Sequence, residues 1–117
     1  MDIKFIAKTL IASLFVVLSL KSIFFGFGDF RNAVISKGIP MALIVSILVL
    51  TIKLGAGLTI MFSDNKKYIK WSAIGLIVFT ILATIIYHNP VEDPDQFNNM
   101  MKNIAIVGGL LLIVADN

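Results

Sequence analysis

The chain has 117 residues, enough for one domain, and 58% of them are hydrophobic, with a mean hydropathy of +0.95 that exceeds what a water-soluble core hides. Its net charge is +3, yet no Lys/Arg stripe with interleaved aromatics occupies a polar face, so the bases mark membrane topology and not a nucleic-acid surface. The absence of cysteine excludes disulfides, thiolate metal sites and thiol redox chemistry, so any redox reaction would need a bound cofactor.

The seven acidic residues and most of the bases lie between or beside long apolar runs, the segmentation of lipid-spanning helices. The first run, from about 5 to 25, has no small-residue cleavage site and is read as a retained span of roughly 31 Å. Lys8 and Lys21 near its ends can lift their ammonium groups toward the headgroups. Gly26, Phe27 and Gly28 then break the helix. A short amphipathic turn over about 29–37 follows, capped by Asp29, with Phe27, Phe30 and Val34 at the membrane interface and Gly38 as the stop.

A second span is expected over about 39–62, with Pro40 in its first turn. The short basic loop from Ser63 to Lys67 makes it an antiparallel hairpin with the third span, about 69–88. Trp71 and Tyr87 take aromatic-belt positions there. The polar stretch from Asn89 to Asn99, with Pro90 and Pro94, reads as an exposed loop. A fourth span over about 100–115 is short and must stand upright or be shielded by neighbours. The expectation is an all-α, integral membrane four-helix bundle forming one transmembrane domain across residues 1–117, without an internal repeat. Lys4, Lys8, Lys66, Lys67 and Lys70 fall on one side, against Arg31, Lys37 and Lys102 on the other, which places both termini on the cytoplasmic or equivalent side.

Lys53 is the main candidate for chemistry. It lies too deep in the second span to be a boundary charge, and no acid within any span pairs with it. It reads either as an electropositive site for a quinone oxygen, an anionic lipid head or a partner's carboxylate, or as a lysine that snorkels toward Phe62. His88, followed by Glu92, Asp93 and Asp95, suggests a proton relay or a helix end beside a solvated acidic loop. One histidine without cysteine is a poor zinc or haem ligand set, so no metal is expected. Gly55, Gly57, Gly75, Gly108 and Gly109 are candidates for close helix packing. No catalytic residues stand out, because no nucleophile–base pair, phosphate loop or carboxylate dyad is present.

Several ordered features carry a resemblance. They are Phe24 to Phe27 leading to Gly38, Ile39 and Pro40; Leu54-Gly55-Ala56-Gly57-Leu58; His88 after the third helix; and Lys102 to Leu112. Together they resemble the DoxX and DoxX-like family of small four-helix membrane proteins, over roughly Ser19 to Ala115. The resemblance implies a membrane subunit, with some relatives tied to quinone-linked sulfur oxidation and others acting as assembly factors. Members often carry a glutamate ahead of the glycine-rich turn where this chain has Lys53, which weakens any transfer of catalysis. The expected function is thus a non-catalytic subunit or scaffold of a larger membrane assembly, among lipids and partner subunits and requiring no cofactor. The alternatives are a membrane subunit of a quinone-linked oxidoreductase, with Lys53 and His88 near the headgroup, and an assembly factor or chaperone.

Overall fold

The computed structural model of the chain describes residues 2–87, 91 and 93–117. The elements are α1 (Ile3–Phe25), α2 (Phe27–Ser36), α3 (Ala42–Phe62), α4 (Lys66–Tyr87), a 3-10 turn (Pro94–Gln96) and α5 (Phe97–Asp116), with no strand among the described residues. Four helical segments are long and apolar enough to cross a bilayer: Ile3–Phe25, Ala42–Phe62, Lys66–Tyr87 and Pro94–Asp116. Helices are the available solution because backbone N–H and C=O groups in hydrocarbon must be satisfied within the segment. The protein is an all-α membrane bundle.

The helix ends follow from local chemistry. The Asp2 side chain accepts from the Lys4 N–H at 3.2 Å and caps α1. In the three-residue α3–α4 turn, the Asn65 Oδ1 accepts from the Lys67 N–H at 3.0 Å and so starts α4 at Lys66. At the other end of α3, Met41 adopts a left-handed conformation, φ 55°, which the helix cannot pass through. For that reason α3 begins at Ala42 and not near residue 39, and Pro40 lies outside it. The last helix begins at Phe97, three residues ahead of the expected start, because the 3-10 turn feeds directly into it. There Asp93 accepts from the Asp95 N–H at 3.1 Å.

The α2 helix starts at Phe27, with Asp29 in its first turn and not at its cap. Phe27, Phe30 and Val34 are spaced for one face; Phe27 and Phe30 are half-buried and Val34 is buried. The bundle goes round in the order α1, α3, α4, α5, with α2 laid across α1 and α3 at the end remote from the termini. Lys4 Nζ donates to Asp116 Oδ1 at 2.8 Å, so α1 and α5 meet where the chain begins and ends.

The hydrophobic core cluster lies in that terminal half, while Val34, Ser46 and Leu50 are buried nearer to α2. Ala12, Ile60, Ala73, Leu76 and Leu110 are buried together there. In α4 the buried positions Ile69, Ala73, Leu76 and Thr80 recur at helical spacing. Two of the five candidate glycines are used within the chain. A Cβ on Gly57 would come within 2.7 Å of Val16 Cγ2 and 3.3 Å of the Ala12 carbonyl oxygen, and one on Gly109 within 2.6 Å of Ile11 Cδ1. Gly55, Gly75 and Gly108 have open space where a Cβ would stand.

That division is testable by substitution. Gly57→Ala forces β-branched Val16 against a fixed backbone and should cost about 1–3 kcal/mol, whereas Gly75→Ala should gain up to about 1 kcal/mol from helix propensity. Thermal unfolding of both variants in one detergent checks this; equal shifts would mean that α1 and α3 are not in close contact at Gly57.

Candidate functional site

The half of the bundle remote from the termini is hollow. A half-open cavity of about 530 Å³ lies between the helices beneath α2. Its walls are mostly apolar, with Leu14 and Leu18 of α1, Val34 of α2, Val49 of α3 and Ile106 of α5 among them. The cause is local. On α2 the inward face carries Phe30, Ala33 and Val34, which cover the space without filling it. Leu14 and Leu18, which line it, are partly exposed, so the cavity is open beside α1.

Lys53 sits at the floor of this cavity, about 16 Å along α3 from Ala42 and about 14 Å from Phe62. Its Nζ lies over the Phe79 ring of α4, 5.1 Å from the centroid. The side chain is therefore turned into the bundle and does not run along α3 toward Phe62. An ammonium over an aromatic face gains about 0.5–2 kcal/mol, which offsets only part of the cost of a cation at this depth. No carboxylate pairs with it among the described residues; the ion pair between Lys4 and Asp116 lies at the opposite end of the bundle. Among the described residues, none that lines the cavity is acidic.

A polar track runs up one wall. Thr80 Oγ1 donates to the Leu76 carbonyl at 2.7 Å and Thr84 Oγ1 to the Thr80 carbonyl at 2.6 Å, each within α4. Asn103 Nδ2 of α5 then donates to Thr84 Oγ1 at 2.9 Å, tying the two helices together. Thr84 thus bridges two helices, while the buried Ser19 hydroxyl has no hydrogen-bond partner among the described residues. Tyr87 stands at the mouth of the cavity, with Lys37 Nζ 5.7 Å from its ring centroid. The cavity thus has a cation at its floor, a second beside its mouth and hydrocarbon between them.

The sequence singled out Lys53 but not the cavity, nor Asn103 or Tyr87 as its neighbours. Asn103, a polar side chain on an apolar helix, was the available signal. His88 and Glu92 lie outside the described residues. Asp93 and Asp95 stand in the 3-10 turn entering α5 and do not line the cavity.

Fold and site together define a small multi-pass membrane protein, packed at one end and hollow at the other. The family model described as DoxX matches residues 3–89, and the chain belongs to the DoxX family. The matched stretch runs from α1 through α4 and includes Lys53, Gly55 and Gly57. It ends before Lys102 to Leu112, which carries no part of the match. No curated protein and no solved structure matches the chain.

Removing the deep cation should stabilise the empty bundle. Lys53→Leu is expected to raise the unfolding free energy by about 1–3 kcal/mol, since a lysine near the centre of a span is costly without a counter-charge. Denaturant titration in detergent micelles checks the sign. A loss of stability would make Lys53 a structural residue.

Proposed function

We propose that the chain is the ligand-holding membrane subunit of a larger assembly, receiving from the bilayer a lipophilic molecule with an oxygen-bearing head, quinones included, and performing no chemistry alone. The observation that carries this reading is the unpaired Lys53 on the floor of an open apolar cavity. A stable bundle gains nothing from a cation left there, and pockets of about 300–1,000 Å³ with few polar groups are the usual form of a small-molecule site. A redox centre, where the reaction needs one, comes from a partner.

The outer surface supports the subunit part of the reading. Gly75 lines a shallow hollow with Tyr68, Trp71 and Ser72 of α4 and Ile52 and Ala56 of α3, and Gly55 and Gly108 are equally unobstructed. In lipid, helix association rests on close backbone approach at such small residues. A scaffold or assembly-factor role uses the same outer faces. Both termini are assigned to the cytoplasmic side, on five bases against three. Because the chain has no cysteine, a single Asp64→Cys variant labelled by a membrane-impermeant maleimide only from the cytoplasmic side checks this.

Extraction from the native membrane in mild detergent, with native-size separation and mass spectrometry of proteins and lipophiles, tests the reading. The wild-type chain should migrate with partners and carry a stoichiometric lipophile, and Lys53→Gln should migrate alike without it. A bare monomer in both cases overturns the reading.

A further inference from the structure

The charge distribution around the cavity narrows the ligand class. Resting on the ligand-holding reading above, we propose that the cavity takes a long-chain carboxylic acid, its carboxylate against Lys53 Nζ and its hydrocarbon chain running out past Leu14 and Leu18.

Three observations carry this. The first is sign. Lys53 at the floor and Lys37 beside Tyr87 at the mouth are both cationic, and among the described residues no acidic one lines the space between them. A neutral head leaves the deep ammonium without a counter-charge, whereas a carboxylate supplies one in a medium of low dielectric constant, where pairing is strong.

The second is depth. From the level of Val45, near the α2 end of α3, to Lys53 is about 12 Å along the helix. A phosphodiester head would carry its fixed charge and two chains that far below the interface. A carboxylic acid crosses hydrocarbon in its neutral form, because desolvation favours that form, and releases its proton to bulk water as its carboxylate pairs with the Lys53 ammonium.

The third is shape. The cavity is lined mostly by apolar side chains, and Leu14 and Leu18 on its α1 wall are partly exposed, which suits one acyl chain leaving along α1. Asn103, anchored to Thr84, lines the same wall and offers amide hydrogen bonds.

The test uses the full chain in phosphatidylcholine nanodiscs with tritiated palmitate, competed by oleate, methyl palmitate, decylubiquinone or phosphatidylglycerol. Palmitate should bind saturably, one per chain, and be displaced by oleate alone. Lys53→Arg should retain affinity, whereas Lys53→Gln should lose about tenfold or more, the scale of one charge-assisted hydrogen bond. Ala83→Phe, which fills the cavity and keeps Lys53, should abolish binding; size-exclusion profiles and helical circular dichroism confirm that each variant is folded. Displacement by methyl palmitate, decylubiquinone or phosphatidylglycerol at concentrations like those for oleate overturns the carboxylic-acid assignment and leaves the ligand-holding reading standing. Absence of saturable binding by palmitate and by decylubiquinone overturns both.

Discussion

Water does not reach the middle of a bilayer, so a cation placed there must be met by protein, by a path to the headgroups or by something bound. The position of Lys53 obeys that constraint in a particular way. Its ammonium is turned inward over Phe79, where the protein offers an aromatic face and no carboxylate. The hollow half of the bundle takes its meaning from that choice. Without Lys53, the cavity under α2 would be a mostly apolar packing defect without a charge in its depth.

The two halves of the bundle are built by different means. At the terminal end, Gly57 lets α1 and α3 approach to van der Waals limits, Gly109 receives Ile11, and the Lys4–Asp116 ion pair closes α1 on α5. That pair is exposed and contributes little energy. At the other end a left-handed Met41 stops α3, and a ten-residue amphipathic helix, α2, bridges the gap. A helix of that length lies across the bundle and cannot span the membrane. It therefore covers the cavity mouth without adding side chains to its depth.

Much of this was legible in the sequence. Apolar runs separated by Gly, Pro and charge gave the four helices, since a bilayer imposes length and polarity constraints that composition reports directly. The start of α3 was not legible, because Pro40 is acceptable in a first helical turn and only the backbone at Met41 reveals that it is not used so. The packing of Val34 against the bundle was not legible, because Phe27, Phe30 and Val34 form the same stripe whether they meet lipid or protein. For Lys53 the depth was readable but the direction was not. Rotation of a helix in a bundle is set by small-residue contacts such as Gly57 against Val16, and sequence does not pair them. The same holds for the five glycines, whose partners differ although their residue type does not.

The direction of the Lys53 ammonium is what the whole account turns on, and magic-angle-spinning NMR measures it in a lipid bilayer. With lysine Nζ labelled by nitrogen-15 and phenylalanine rings by carbon-13, a dipolar contact consistent with the 5.1 Å separation of Nζ and the Phe79 ring is expected, and it should vanish in Phe79→Leu. A Lys53 signal coupled to water and headgroup protons at the Phe62 end, with no contact to Phe79, would contradict the account.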